Sequence, residues 1–427
     1  MTIDLGHNLT FPGTININNN SVSVDSATVP ELNVSANITL RQVYGLNNPK
    51  IIKNGVECFD CTLFSYDKVS GVGIFSVEHA GGEYSLAEVI NWGSGTPSDP
   101  YLITNCNQLQ VMKNNLSAYY ALVNDIDCSD TANWNCNDGI CSGFEPIGNR
   151  TNTFSGSFDG RHYIINNLYI NRSSSQYVGL FGYAISESEI SETEIKNLGL
   201  VDVNISGKNN VGGIVGQANS NISSCFVTGT IKGVRLTGGI AGNLRSGGHI
   251  LNSYFNGDIL VNYVSPTEIG IGGLAGASNG IIENSYSAGG IYNISNIPSG
   301  VLNALGGLVG ISSFNSQISN SFSNMNIVEL LFFSDIGGFV GTNRQVSNGI
   351  LNSYYNNLTN SPANCLSFAN FIAECHAVQD NESYFKNKTN EPMTKWNFDN
   401  IWNIDDGSLM KLEELENLIN EGYPFLR

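Results

Sequence analysis

Between residues 177 and 356, hydrophobic and polar positions recur in two alternating kinds of block. The first is apolar and studded with glycine: V-G-G-I-V-G at 211–216, T-G-G-I-A-G at 237–242, I-G-G-L-A-G at 271–276, L-G-G-L-V-G at 305–310 and I-G-G-F-V-G at 336–341. A fainter forerunner, Y-V-G-L-F-G, starts at Tyr177. The second block follows each of the five: I-S-S-C-F from Ile222, I-L-N-S-Y from Ile250, I-E-N-S-Y from Ile282, I-S-N-S-F from Ile318 and I-L-N-S-Y from Ile350. The closing glycines Gly182, Gly216, Gly242, Gly276, Gly310 and Gly341 lie 34, 26, 34, 34 and 31 residues apart. A fixed-order repeat of this length signals a solenoid or propeller. It holds three short strands with turns, which is one coil of a parallel β-helix, whereas a propeller blade needs about 40 residues and four strands.

Period-2 alternation assigns faces within the second block. It puts Ile282, Asn284 and Tyr286 on the inner face, with Glu283, Ser285 and Ser287 outside. Stacked in register, the rungs would place Ile on Ile and aromatic on aromatic about 4.8 Å apart. Asn252, Asn284, Asn320 and Asn352 would form an amide ladder, or each would sit at a left-handed bend, which Asn tolerates; the pattern leaves both open. The same alternation turns Phe255 and Tyr355 outward, as contact residues or as packing along the rung edge. The glycine sets Gly212, Gly213 and Gly216; Gly238, Gly239 and Gly242; Gly272, Gly273 and Gly276; Gly306, Gly307 and Gly310; and Gly337, Gly338 and Gly341 suit a crowded corner, where positive φ or close backbone approach excludes Cβ.

The flanks follow other patterns. Residues 1–88 read as a small β-sandwich of about seven short strands, among them 22–24, 33–40, 50–52 and 72–77. Residues 89–99 form a Gly/Ser/Pro linker, and residues 100–170 a solenoid cap and first coil. That cap holds a strand at 101–103, a short helix at 105–114 with Asn105 and Gln108 in a capping box, and a strand at 120–126. It would cover the open sheet edge of the first coil. The repeat body spans 171–360, with insertions at 262–267 and 293–299, and 361–427 forms a closing coil and cap. Ser408 begins a short amphipathic helix through Leu412, Leu415, Leu418 and Ile419.

Charge narrows the class of partner. The chain carries a net charge of −18, yet residues 206–356 hold five acids and five bases, so the acidity lies in the flanks. With no basic stripe, nucleic acid is not expected as a partner. No apolar stretch reaches the length of about 18 residues needed to span a membrane.

Eight of the nine cysteines form four local pairs, Cys58/Cys61, Cys106/Cys128, Cys136/Cys141 and Cys365/Cys375, with Cys225 left over. Spacing alone does not prove that connectivity, but it favours an oxidising, extracytoplasmic compartment. Thirteen N-x-S/T sequons, Asn37, Asn115, Asn204 and Asn293 among them, are compatible with glycosylation in a chain rich in Asn and Ser. The N-terminus has no basic or apolar leader region, so the chain is expected to be a piece of a longer surface polypeptide.

The G-G-[LIF]-[VA]-G and I-x-N-S-[YF] repeats resemble the GLUG motif family, found in large secreted and surface-attached bacterial and archaeal proteins, many described as adhesins. The leading segment D-P-Y-L-I-T with Y-Y-A-L-V-N-D-I-D, the segment F-S-G-S-F-D-G-R-H-Y-I-I-N-N-L, and the closing W-N-F-D-N-I-W-N-I-D with G-Y-P-F-L-R resemble the same family, so the likeness covers about 330 residues. It implies an all-β, right-handed parallel β-helix exposed at a surface. Residues 36–79, A-N-I-T-L through F-S-V-E-H, are similar to a small accessory β domain of archaeal-type surface proteins.

Enzymatic chemistry finds little support in the residue types. Cleavage of a glycan needs two convergent carboxylates, and Asp258, Glu268, Glu283, Glu329 and Asp335 occupy unrelated repeat positions. Asp159 in F-D-G-R-H-Y reads as a turn aspartate, and His162 beside it lacks an acid or nucleophile pattern. Cys58-Phe-Asp-Cys61 lacks a second pair or a histidine at zinc spacing. Asp125, Asp127, Asp130 and Asp138 are weak calcium candidates that depart from EF-hand spacing. No catalytic residue and no cofactor are expected. The expected function is a non-enzymatic, extracellular or cell-surface scaffold contacting glycans or proteins, without membrane insertion; the alternatives are a β-helix polysaccharide lyase or hydrolase, or a purely structural spacer.

Overall fold

A computed structural model describes residues 15–18, 20–27, 30, 33–43, 46, 49–54, 56–58, 60–88, 93–186, 193–262, 269–294, 303–328, 335–344, 349–357, 364–368, 373–379, 381–403 and 425–426. The helix expected after Ser408, most of both insertions, and Glu268 and Glu329 lie outside the described residues. Two compact units divide the chain: Met1–Asn91 with Asn107–Val111, and Trp92–Cys106 with Met112–Arg427. Asn107–Val111 belong to the helix that the sequence places in the solenoid cap; by packing they group with the first unit.

The first unit is antiparallel. One sheet runs Ile15–Asn18, Ser21–Val24, Gly82–Glu88, Pro49–Lys53 and Val56–Glu57, and the other Ala36–Leu40, Val72–Val77 and Cys61–Asp67. Alternation in Val72–Val77 is regular, with every second residue buried. The inner faces share one core around Val22, Ile38, Phe75, Tyr84 and Leu86.

The second unit is a parallel β-helix. Its longest sheet takes in Ser157–Asp159, Glu194–Ser206, Asn221–Gly233, Tyr254–Val261, Tyr286–Asn293 and Phe322–Val328, all paired in parallel. A six-stranded sheet (Gln176–Val178 to Asp335–Gly337) and a seven-stranded sheet (Phe181–Ala184 to Leu366–Phe368) complete each coil. Register follows the repeat: Ile195, Ile222, Ile250, Ile282, Ile318 and Ile350 are successive partners and all are buried.

The repeat glycines share one cause, which is close approach. A Cβ on Gly239 would lie 2.0 Å from the Phe255 ring and 2.5 Å from the Gly273 carbonyl oxygen. Gly213, Gly273, Gly307 and Gly338 face Val227, Ser287, Ser323 and Tyr355 in the same way. Gly212, Gly238, Gly272, Gly306 and Gly337 each approach the carbonyl of the residue three positions on, and Gly216, Gly242, Gly276, Gly310 and Gly341 press on the backbone of an adjacent rung. None of the fifteen has a positive φ, so packing excludes the side chain and backbone strain does not.

In the second block alternation fails at the asparagine position. Asn252, Asn284, Asn320 and Asn352 have φ of 48, 49, 48 and 43°, and Ser224 and Asn197 take the same conformation at their positions. A left-handed residue shifts the phase of the strand that follows. The inner face therefore carries Ile282, Ser285 and Ser287, while Tyr286 turns outward. Phe255 and Tyr355, expected outside, are 0% and 2% exposed and lie against the glycines across the lumen. Ser253, Ser285, Ser321 and Ser353, also expected outside, are fully buried.

The outward aromatics form a continuous stack. Phe226–Tyr254, Tyr254–Tyr286 and Tyr286–Phe322 have ring centroids 5.0, 4.9 and 4.6 Å apart and are within 8° of parallel. Such pairs contribute about 0.5–1.5 kcal/mol beyond the area they bury. Residues 381–403 run over this stack as a strap: Phe385 and Trp396 stack on Phe322, and Trp402 packs on Tyr254 and Tyr286. Trp396 Nε1 donates to the Asn320 carbonyl at 2.8 Å.

Candidate functional site

Asparagine and serine form two polar columns along the coil. The left-handed asparagine interrupts strand pairing, so the next N–H needs another acceptor. The serine hydroxyl of the following rung supplies it: Cys225 N to Ser253 Oγ, Ser253 N to Ser285 Oγ and Ser285 N to Ser321 Oγ, at 3.1–3.2 Å. Each hydroxyl in turn donates to the carbonyl two residues back in its own chain. Asn284 Nδ2 donates to Asn252 Oδ1 (3.3 Å) and Asn352 Nδ2 to Asn320 Oδ1 (2.9 Å), while Asn284 Oδ1 has no partner. Bend and ladder thus coexist, and the ladder runs in pairs. The serine column was missed because the alternation placed it outside.

Cys225 occupies the serine position of its rung. Its thiol donates to the Ser223 and Ile195 carbonyls, and burial pushes it up to about 12. All four cysteine pairs are disulfides: Cys58–Cys61, Cys106–Cys128, Cys136–Cys141 and Cys365–Cys375.

Two of the four aspartates of the weak calcium set bond to the neighbouring coil, and one of these, Asp127, also closes a local turn. Asp125 accepts from the Ile164 N–H, and Asp127 from Asn167, whose hydrogen bond is the largest cause holding its carboxyl below the usual range, and from Ser129. Asp130 and Asp138 are exposed. Among the described residues the only convergent ligand-type trio is Cys58, Asp60 and Cys61, and its sulfurs are bonded to each other.

On the outer face, the first rungs carry a groove of about 570 Å³ lined by residues of the 93–100 loop and of three successive strands. The strands Tyr119–Leu122, Ser157–Asp159 and Glu194–Ser206 pair in parallel, so Tyr119, Ser157 and Glu194 share one column and Ala121, Asp159 and Lys196 the next. Lys196 Nζ meets Glu194 Oε2 at 2.5 Å, and that hydrogen bond raises the lysine above its ordinary range. Asp159 Oδ1 accepts from the Arg161 N–H (2.8 Å) and from Asn197 Nδ2 (3.0 Å). Asp159 is thus a turn aspartate that also lines a groove, and Glu194 and Lys196 were not singled out by their sequence. Glu283 lies on the same outer face, two rungs beyond Ser223.

The second unit is a parallel β-helix, and the family model for the GLUG motif matches residues 207–232 of it. The chain is 37% identical over 167 residues to halomucin of Haloquadratum walsbyi, which covers 38% of this chain and 2% of that protein. It is 30% identical over 237 residues to immunoglobulin A1 protease of Streptococcus sanguinis, covering 55% of this chain and 12% of the protease. The chain therefore spans a small part of these relatives. Among solved structures, a Bacteroides ovatus protein provisionally described as an immunoglobulin A1 protease shares the fold, with a TM-score of 0.55 and 22% identity over 78% of this chain and 94% of that one.

Proposed function

We propose that the chain is a non-enzymatic extracellular scaffold, in which the β-helix is a stiff support that presents its outer face to glycans or proteins. The observation that carries this reading is where the side-chain chemistry is spent. Serine, asparagine and aspartate side chains satisfy bends and turns along the coil. The outer carboxylates of the groove are held by Lys196, Arg161 and Asn197. Four disulfides support an oxidising, extracellular setting. The small share of each relative that the chain spans supports a module within a longer polypeptide.

A second reading follows from the relatives called immunoglobulin A1 protease: the β-helix accompanies a protease whose chemistry lies elsewhere in the polypeptide. Incubating the purified chain with immunoglobulin A1 and with a panel of polysaccharides tests the scaffold, and assaying the longer polypeptide for cleavage of immunoglobulin A1 tests the second reading. Retention on a glycan or protein array without cleavage is expected. Cleavage that co-purifies with the chain would overturn the scaffold, and absence of both binding and cleavage would leave a structural spacer.

A further inference from the structure

The groove beside the first rungs is built ahead of any ligand. Its wall, the 93–100 loop, is closed on itself by Thr96 and Asp99, whose N–H and carbonyl groups pair reciprocally at 3.2 Å, and is tied to the floor by Tyr119 N–H donating to the Gly95 carbonyl (2.9 Å). A Cβ on Gly95 would strike the Tyr101 ring at 2.4 Å, so the loop sits tightly on the first strand. On the floor, the Lys196–Glu194 pair and the bonds to Asp159 fix three charged side chains. Side chains already held in place lose less entropy when a ligand arrives.

We propose that this groove binds a neutral glycan chain laid across the strands Tyr119–Leu122, Ser157–Asp159 and Glu194–Ser206, with Tyr119 as the stacking surface and Glu194, Lys196 and Asp159 as partners for sugar hydroxyls. The proposal rests on the reading of the protein as a contact scaffold and gives that reading a site and a ligand class. Charge selects the class. The lining holds two acids, Asp159 and Glu194, and two bases, Arg161 and Lys196, so neither a polyanion nor a polycation gains net attraction. A peptide strand has no edge to join, because Ser157–Asp159 is paired on both sides. A metal ion finds no three converging ligands there among the described residues. A sugar hydroxyl both donates and accepts, and each carboxylate here retains free lone pairs after its bonds within the protein. Tyr119 is half-buried and lines the groove, and its ring is of the size of a pyranose.

The full chain is tested on an array of neutral gluco-, manno- and galacto-oligosaccharides beside sulfated and uronic-acid glycans, with hits followed by titration calorimetry. A neutral oligosaccharide is expected to bind. Tyr119→Ala and Glu194→Gln should each weaken it by about tenfold, while Glu283→Gln, farther along the same face, leaves it unchanged. Circular dichroism and melting temperature confirm that each variant folds, and Glu194→Gln, which keeps the side-chain shape, carries the test if Tyr119→Ala does not fold. Neutral-glycan binding that survives both groove variants overturns the groove and leaves the scaffold reading standing. Tighter binding of the acidic glycans overturns the ligand class. A chain that binds no glycan of either kind overturns this proposal together with the glycan half of the scaffold reading.

Discussion

Asn284 does two jobs that substitution can separate. It takes a left-handed backbone and donates its amide to Asn252. Glycine keeps the first job and loses the second, so Asn284→Gly should cost about 0.5–1.5 kcal/mol, the worth of one hydrogen bond. Alanine loses both and adds a left-handed penalty of about 1–2 kcal/mol. Urea unfolding should rank wild type, Gly and Ala in that order; an Ala variant as stable as Gly would mean that the bend is not under strain. Cys225 makes a pH prediction. Burial raises its folded-state value from 9.0 to about 12, so between those limits the unfolded chain holds fewer protons than the folded one. Stability is unaffected below about pH 9 and falls as pH rises toward 12. Cys225→Ser places the hydroxyl that other rungs already use, and it should flatten that fall while changing stability at pH 7 by less than about 1 kcal/mol. Denaturation series at pH 7 and pH 10.5 measure both effects.

The strap is the element whose packing decides how much of the outer face is water-exposed. Without it, Tyr254, Tyr286 and Phe322 would present a contiguous aromatic patch of the kind that soluble surfaces rarely leave open. Trp396 is the natural point to test, since it stacks on Phe322 and Tyr286 and bonds the Asn320 carbonyl. Trp396→Ala should cost about 3–5 kcal/mol. It should also raise hydrogen exchange in the rungs from Tyr254 to Phe322 and leave the antiparallel unit at residues 15–88 as protected as before. An equal rise in both units would show that the loss is global rather than local. The resemblance marks this segment as a closing cap, yet its path along the side of the coil was not readable. Nothing in a local pattern tells a chain end which of several apolar surfaces it will cover.

At the scale of the molecule, the coil behaves as a stack in which each rung meets chiefly its neighbours. Gln217 pairs with Asn243 in the seven-stranded sheet, so removing residues 217–242 deletes one coil of 26 residues, the Gly216 to Gly242 step, and leaves the register of the rest intact. The shortened chain is expected to fold cooperatively, with near-wild-type far-UV circular dichroism and an aromatic stack one ring shorter. Deleting half that number should abolish folding, because it would set a glycine corner opposite a strand. If both deletions fail alike, rungs depend on more than their neighbours.

The repeat and the spacing of its apolar positions determined the coil and the isoleucine column, because those follow from a period that local chemistry imposes; the three strands expected per turn become four where the asparagine bend divides one, as between Ile281–Glu283 and Tyr286–Asn293. The cysteine pairs were legible for the same reason, being close in the chain. Only the tertiary structure decided which way the residues after the asparagine face. A single left-handed φ is invisible to alternation, and it exchanged Tyr254 with Phe255 and Tyr354 with Tyr355 between the two sides of the wall. The groove belongs to the same category: Asp159, Glu194 and Tyr119 are far apart in sequence and become neighbours because consecutive coils stack strand on strand.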